Sequence, residues 1–334
     1  MQSILDPAIL FFVFGILAGA LKSNLEIPPQ ISRFLALYLL MALGLKGGFA
    51  LAKSGLTSEV TISLACAVAL AVIVPTMGYA LLRRFLNGFD AAAIAATYGS
   101  VSAVTFITAT QYLDSRGLPY GGHMAAAMAL MESPAIIMAV LLANLVRQRG
   151  IADAAKAAGG ISAASTSAMH RVSIGRILHE SFTDGAQLLL LGAMAIGIVT
   201  GEAGRTAMQP FTGDLFKGML SFFLLDMGLL AARNMGELRG KSPWLLAYAI
   251  GAPLAHAALA LVLSVALGVS QGNGALLMVL AASASYIAVP AVIRQAIPEA
   301  NPSLYFGMSL GLTFPFNILV GIPLYVYAAQ RFLP

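Results

Sequence analysis

Charged residues are scarce in this chain, and their scarcity excludes an ordinary soluble enzyme. Lys, Arg, Asp and Glu make up 10% of the 334 residues, against roughly 25% in soluble domains. Hydrophobic residues make up 59%, and the mean hydropathy is +0.86. This composition is typical of a protein whose solvent is the lipid bilayer. The net charge of +5 then indicates membrane topology rather than a nucleic-acid-binding surface, so lipid and not nucleic acid is expected around the chain.

Signals for catalysis and for metal binding are also missing from the sequence. The single cysteine, Cys66, has no partner for a disulfide within the chain. No Cys/His cluster has the spacing of metal ligands, and no Gly-Lys-Ser/Thr loop that would bind ATP occurs. We therefore expect neither an enzyme nor an ATP-driven pump, and no cofactor. Residues 1–6 lack the basic segment of a signal peptide, so the first apolar run is expected to be a retained helix.

Apolar runs dominate the chain, and ten of them have the length of a membrane-spanning helix, about 20 residues. The fold class predicted is an all-α polytopic membrane protein. The polar stretch 148–176, rich in Gly, Ser and Ala, divides the runs into five plus five and is predicted to be a linker between segments 1–147 and 177–334. The runs cover residues 7–22, 33–52, 58–82, 90–112, 120–147, 177–200, 211–232, 243–268, 274–294 and 304–330.

The two groups of five runs share landmarks in the same order at a nearly constant offset. These are Gly44 and Gly228, 184 positions apart, Ser100 and Ser283, 183 apart, and Pro134 and Pro315, 181 apart. Each match alone is weak, but three in order indicate an internal repeat. Because five is odd, the second repeat must enter the membrane from the opposite side. The sequence therefore predicts ten helices in an inverted repeat.

Basic residues predict the orientation of these helices. Thirteen of the 19 Lys and Arg residues lie in connections on one face, five lie on the other face, and Lys46 lies inside a span. The positive-inside rule assigns the richer face to the cytoplasm. We therefore expect a protein of the inner (plasma) membrane with both termini outside and the 148–176 linker in the cytoplasm.

Small and hydroxylated residues in the middle of spans four and nine predict interrupted helices. Glycine permits unusual backbone angles, serine caps a new helix start, and proline destabilises a continuous helix. In inverted-repeat transporters the N-termini of such half-helices point at an anion near the midplane. Close helix packing is the alternative, but two clusters at equivalent repeat positions favour the interruption. The predicted substrate-binding residues are Gly99, Ser100, Ser102, Ser283, Ser285 and Tyr286, with Pro290 following the second cluster.

Ionisable residues inside the spans are the next candidates, because each costs on the order of 2.5 to 3.5 kcal/mol at the bilayer centre. Glu132 precedes Pro134, so its carboxylate and a freed carbonyl are predicted to bind a cation such as Na⁺, or the carboxylate to take up a proton. A carboxyl hydrogen-bonded within the protein is the alternative. Thr313 and Asn317 occupy the equivalent region of the second repeat and are suited to the same role.

Lys46 and Asp226 occupy mirrored positions, two residues after Gly44 and two before Gly228. An inverted repeat brings such positions towards its pseudo-two-fold axis, where opposite charges neutralise each other. This pair is predicted to be a structural or gating ion pair rather than part of the substrate site. His256 is predicted to be a packing histidine rather than a proton relay.

The second half carries the motifs of a known family. The most specific are Ala281-Ala282-Ser283-Ala284-Ser285, then Pro290, Arg294, Ile297-Pro298 and Ala300-Asn301-Pro302-Ser303. With them the chain resembles the sodium-dependent bicarbonate transporter superfamily, which includes the cyanobacterial bicarbonate permeases. The resemblance implies a mobile core of helices 3–5 and 8–10, a gate of helices 1, 2, 6 and 7, a homotrimer and Na⁺-driven anion uptake. It also implies a PII-like cytoplasmic regulator and an anion site on Gly99, Ser102, Thr105, Ser283 and Ser285.

The expected function is therefore a secondary-active permease for a small inorganic or carboxylate anion, most simply bicarbonate with Na⁺, that works by an elevator-type movement. One departure from the family keeps an alternative open: Tyr286 stands where the bicarbonate permeases have Asp. That favours a proton-coupled or facilitated permease for another small anion. A membrane sensor that signals through the linker is the third possibility.

Overall fold

The fold is helical throughout the part of the chain that the computed structural model describes, residues 6–157, 185–236 and 240–334. No strand occurs in these ranges. Seven helical stretches are long and apolar enough to cross a membrane, and Pro7–Ala20 and Gln271–Ala282 are shorter apolar helices. The predicted all-α polytopic class is thus confirmed, whereas the count of ten spans and their repeat stay predictions.

Twelve helices are described. The first half contains α1 (Pro7–Ala20), α2 (Pro29–Ser54), α3 (Ser58–Leu82), α4 (Gly88–Gly99), α5 (Ala103–Ser115) and α6 (Met124–Ala157). The second half contains α7 (Gly185–Gln209), α8 (Phe216–Met235), α9 (Pro243–Leu267), α10 (Gln271–Ala282), α11 (Ala288–Ala296) and α12 (Pro302–Phe332). A π-helical turn, Pro210–Asp214, joins α7 to α8, and α12 includes the π-helical segments Gly307–Thr313 and Asn317–Gly321.

Local sequence signals explain several of these boundaries. Asp6 caps α1, because its carboxylate accepts the Ala8 N–H at 2.9 Å. Asn87 caps α4 and Asn301 caps α12 in the same way. Such caps satisfy backbone N–H groups that have no partner within the helix. At Gly201 the backbone leaves the helical region, with φ of 53° and ψ of −137°, so α7 bends where the sixth predicted run ends.

The linker expected from residue 148 is partly helical, which corrects the prediction. Helix α6 continues to Ala157, ten residues beyond the fifth predicted run. Its last turns are rich in Ala with Arg and Lys, which have high helix propensity despite their low hydropathy. Residues 158–184, the rest of the linker and the predicted start of the sixth span, lie outside the described residues.

Two close helix pairs form one part of the molecule: α1 packs against α8, and α2 packs against α7. Glycines allow the backbones to approach in both pairs. A Cβ at Gly228 would lie 2.3 Å from the carbonyl oxygen of Phe12, and one at Gly48 would lie 2.2 Å from that of Met194. Side chains larger than hydrogen would force the helices apart, as expected of small-residue interfaces in membranes.

The remaining helices pack around the two interrupted ones. Helix α3 packs against α4 and α6, and α9 packs against α10 and the π-helical part of α12. Helix α4 is almost wholly buried, and α10 is buried along its entire length. Helices buried on all sides are apolar all round, which explains why both read as continuous apolar runs. This arrangement places the two interruptions inside the protein.

Candidate functional site

The two helix interruptions lie where the sequence predicts them. Helix α4 ends at Gly99 and α5 begins at Ala103, whereas α10 ends at Ala282 and α11 begins at Ala288. The intervening backbone is extended, with ψ of 178° at Ser100 and 165° at Ser283. Each interruption therefore places one helix C-terminus and one helix N-terminus in the protein interior.

The two interruptions contact each other directly. The Ser102 N–H donates to Ser283 Oγ at 3.0 Å, and the Ser285 N–H donates to the Thr97 carbonyl at 2.8 Å. Ser102 and Ser285 are 183 positions apart, which is the offset of the sequence landmarks. Each extended segment thus supplies one backbone donor to the other, and we call this contact region, residues 97–105 and 280–289, the crossing.

Serine side chains cap the two helices that begin at the crossing. Ser102 Oγ accepts the Thr105 N–H at 3.2 Å and the Thr105 hydroxyl at 3.0 Å. Ser285 Oγ accepts the Val289 N–H at 3.3 Å. Both helix N-termini, which carry partial positive charge, therefore meet at the crossing. The buried Ser100 hydroxyl has no hydrogen-bond partner among the described residues, and a buried polar group without a partner is costly unless a ligand or water meets it.

The carbonyl end of α10 is satisfied by side chains from three places. Ser283 Oγ donates to the Leu280 carbonyl at 2.9 Å. The imidazole of His256, on α9, is hydrogen-bonded to the Ala281 backbone. Asn317 Nδ2, on α12, donates to the Ala282 carbonyl at 2.8 Å. These bonds satisfy backbone carbonyls at the end of α10 that have no partner within the helix.

Asn317 and Thr313, predicted as cation ligands, are both engaged in hydrogen bonds. Asn317 Oδ1 accepts the Tyr325 hydroxyl at 3.0 Å. Thr313 Oγ1 donates to the Ala249 carbonyl at 2.7 Å and lies 2.5 Å from the Tyr98 hydroxyl, which must then be the donor of that bond. The two residues brace α12 against α9 and the interrupted helices.

Tyr286 fills the space between the crossing and α8. Its side chain is 6% exposed, its hydroxyl lies 3.8 Å from Met227 Sδ, and its ring packs edge-on against Phe314 with the centroids 5.3 Å apart. Ser102 is within hydrogen-bonding reach of the same hydroxyl. A neutral phenol, both donor and acceptor, thus borders the predicted anion site.

Glu132 points from α6 towards α7. Its Oε2 accepts a hydrogen bond from Gln187 Nε2. The carboxylate therefore has an amide donor on the neighbouring helix, which fits the alternative of a hydrogen-bonded carboxyl and leaves its predicted cation role untested.

The structure does not bring Lys46 and Asp226 together, which corrects the predicted ion pair. Lys46 Nζ lies 3.5 Å from Asp114 Oδ2 and 4.3 Å from the ring centre of Phe216. Asp226 instead accepts a hydrogen bond from the Ser32 hydroxyl. Ser32 and Lys46 are 14 residues apart on α2, about 21 Å along the helix. The mirrored positions of Lys46 and Asp226 about the sequence landmarks therefore do not bring the two side chains together.

Several contacting residues escaped the sequence reasoning. Asp114 and Gln187 pair with predicted residues, whereas Tyr98 braces the interrupted helices. Asp114 lies near the end of a span, where a charge carries no functional signal. Tyr98 and Gln187 are uncharged and give no signal in a search for charges. Their roles depend on which helices are neighbours, and hydropathy does not specify that.

A comparison with protein families finds a match over nearly the whole chain. Residues 7–330 match the Na⁺-dependent bicarbonate transporter superfamily, and these residues include every helix from α1 to the last turn of α12. No individually curated protein matches the chain. Because the match extends over nearly the whole sequence, the chain belongs to the Na⁺-dependent bicarbonate transporter superfamily.

Proposed function

We propose that this multi-pass membrane protein is a secondary-active permease that imports bicarbonate together with Na⁺ and binds the anion at the crossing. The single observation that carries the proposal is the meeting of two interrupted helices whose N-termini face one buried point. Backbone N–H groups and serine hydroxyls there replace the hydration shell of a small anion. Ser102, Ser283, Ser285 and the unpartnered Ser100 hydroxyl are the side chains assigned to it, with Thr105 holding Ser102 in place.

An inverted repeat is the second part of the proposal, and matching hydrogen bonds support it. Asp90 in α4 accepts the Asn301 N–H at 2.7 Å, and Asn273 in α10 accepts the Gly121 N–H at 2.7 Å. The acceptors are 183 positions apart and the donors 180. In both cases the third residue of a half-helix holds the loop that follows the other interrupted helix. The helix pairs α1–α8 and α2–α7 are likewise equivalent under this relation.

Movement of a core against a gate follows from this packing. The glycine-lined pairs α1–α8 and α2–α7 form the proposed gate, and the helices around the crossing form the proposed core. Since the crossing belongs wholly to the core, a rigid movement of the core carries the anion site with it. With both termini outside, as the distribution of basic residues predicts, α5 extends outward from the crossing and α11 extends inward.

The coupling cation is assigned to Glu132, whereas Thr313 and Asn317, the other predicted ligands, are engaged in hydrogen bonds that brace α12. Carboxylate, hydroxyl and amide oxygens are the ligands that hard cations such as Na⁺ prefer. An anion entering a low-dielectric site loses its hydration energy, and a cation bound nearby offsets that cost. Trimeric assembly and a PII-like regulator stay predictions from the family resemblance.

Uptake of ¹⁴C-bicarbonate into proteoliposomes, with and without an inward Na⁺ gradient, tests the proposal. We expect Na⁺-dependent uptake that Ser102→Ala and Ser285→Ala abolish. Ser221→Ala is the matched control, because its hydroxyl is also buried but donates within α8 to the Lys217 carbonyl at 2.8 Å. Wild-type uptake by both crossing variants, or equal loss in the control, would refute the assignment.

A proton-coupled or facilitated permease for a small carboxylate anion is the second candidate, and Tyr286 favours it. The phenol beside Ser102 is neutral at pH 7 and is a poor ligand for Na⁺. Uptake that follows a pH gradient and ignores Na⁺ would decide for this candidate. The Glu132→Gln variant separates proton-coupled from facilitated transport, because loss of the carboxyl should remove a proton dependence while leaving facilitated flux intact.

A further inference from the structure

The ion pairs of the described residues divide according to the proposed gate and core. Lys217 and Asp6, 3.0 Å apart, lie within the gate, and Arg147 and Glu299, 2.9 Å apart, lie within the core. Arg205 and Glu202 are neighbours on α7. Lys46 and Asp114 differ from these, because Lys46 belongs to gate helix α2 and Asp114 to core helix α5. A core that moves must break this pair.

The contacts across the gate–core boundary show at which level along the membrane normal the core lies relative to the gate. Asp114 is next to the outer end of α5, yet its partner Lys46 is eight residues below the outer end of α2, about 12 Å. Met227, which touches Tyr286 of the crossing, follows Asp226, whose partner Ser32 lies three residues, about 5 Å, above the inner end of α2. The core is therefore displaced towards the cytoplasmic side of the gate.

If the two repeats exchange their conformations, the protein changes from the inward state to the outward state. In an inverted repeat the outward state is related to the inward state by that exchange, because the repeats are alternative versions of one structure. At the offset of 184 that relates Gly44 to Gly228, Lys46 exchanges with Leu230, and Asp114 exchanges with residue 297 at an offset of 183. Asp226, one turn before Leu230, is then the gate charge for the outward state, and its core partner must lie about one turn before residue 297.

Arg294 provides a cation at that place. It lies one turn before residue 297, near the inner end of α11, six residues or about 9 Å beyond the first residue of α11. Its side chain is exposed, with the guanidinium 5.0 Å from the ring centre of Phe306. Because Tyr286 of the crossing touches Met227, an outward movement of the core by about 9 Å, the length of α11 from its first residue to Arg294, brings Arg294 level with Asp226.

We propose that two ion pairs across the gate–core boundary alternate. Lys46–Asp114 forms in the inward state, and Asp226–Arg294 forms in the outward state. The inference rests on the moving core of the proposed function. The signs are reversed between the repeats: the gate supplies the cation in one state and the anion in the other. The Lys46–Asp114 pair is partly exposed and is worth little alone, so removing it shifts the two-state ratio by only about twofold to fivefold, which keeps both states accessible.

Cysteine cross-linking in membranes tests the pairs without any substrate. In a Cys66→Ser background, Asp226→Cys with Arg294→Cys reports the outward state, and Lys46→Cys with Asp114→Cys reports the inward state. We expect both pairs to react with a short bifunctional thiol reagent. Adding Lys46→Gln should raise the rate of the Asp226/Arg294 reaction about twofold to fivefold. Lys217→Gln, which breaks an ion pair inside the gate, is the control and should leave the rate unchanged.

Two results overturn the inference. One is failure of the Asp226/Arg294 pair to react in protein whose Lys46/Asp114 pair does react, since that chain is folded and the reagent has access. The other is an equal rise in rate with Lys217→Gln, which would indicate loosening of the gate rather than loss of a specific pair. If the cross-links form as expected but bicarbonate uptake is absent, the proposed substrate is wrong while the alternating pairs stand.

Discussion

Asn317→Asp distinguishes a cation ligand from a brace of the interrupted helix. The asparagine side chain is 1% exposed, donates from Nδ2 to the Ala282 carbonyl at 2.8 Å and accepts from Tyr325 at 3.0 Å. Aspartate keeps an acceptor for Tyr325 but offers an oxygen where Ala282 needs a donor. A buried carbonyl left without its donor costs about 1–3 kcal/mol, and a buried unpaired carboxylate adds to that cost.

The expected result at neutral pH is a loss of thermal stability that Na⁺ does not restore. With about 2 °C per kcal/mol for a chain of this size, the lost bond alone lowers the Tm by about 2–6 °C. The emission of the single tryptophan, Trp244, reports unfolding of the purified protein with and without NaCl at constant ionic strength. Uptake should fall in parallel, because the carbonyl end of α10 is no longer held.

Asn234→Asp is the matched control for this experiment. Asn234 Nδ2 also donates to a backbone carbonyl, that of Leu230 at 2.9 Å, but that carbonyl lies one turn back on the same helix. Its loss should change the Tm little. A Tm of Asn317→Asp that recovers fully in Na⁺, as an added carboxylate ligand would produce, refutes the bracing role and restores Asn317 as a cation ligand.

Three further predictions concern the packing around the site. Gly228→Ala should lower the Tm by several degrees, because the alanine Cβ would lie 2.3 Å from a carbonyl oxygen of α1. Gly218→Ala on the same helix has open space around it and should leave the Tm unchanged. Burial lowers the pKa of His123, so the folded protein resists protonation of this side chain. The stability should therefore fall as the pH drops through about 6.5. In a profile of Tm against pH, His123→Gln should remove that slope. Tyr325→Phe should cost about 1 kcal/mol of stability with wild-type uptake, since Asn317 keeps its bond to Ala282.

The positions of the helix interruptions were predictable because they depend on local chemistry. Gly99, Ser100 and Ser102 break a helix through backbone freedom and capping, and those properties are visible in any apolar context. The glycine contacts of α1 and α2 were not predicted, although Gly44 and Gly228 served as repeat landmarks. Close approach depends on which helix lies opposite, so the sequence alone marks a small residue without identifying its neighbour.

Charged residues were predicted to be important, but their partners were predicted wrongly. Lys46 and Asp226 were paired because they mirror each other about the landmarks of the predicted repeat, whereas the structure places Asp114 and Ser32 beside them. A symmetry relation fixes equivalence and not distance, since equivalent residues meet only near the axis. The positions of the two helices along the membrane normal decide which side chains become partners of the charged residues. Those positions belong to one conformational state.

The neutral chemistry of the crossing bears on why transport would be coupled at all. Its polar side chains are serines, threonines, Tyr98 and Tyr286, and no carboxylate or ammonium group lies within residues 97–105 or 280–289. The N-termini of α5 and α11 each supply about half a unit of positive charge, but the C-termini of α4 and α10 end at the same crossing with the opposite partial charge, so a buried anion is not fully compensated. The remaining charge must arrive with the cargo, as a cation or as a proton. A site that stays neutral when empty also moves through the bilayer centre at little electrostatic cost, so the absence of fixed charge favours both movement and coupling.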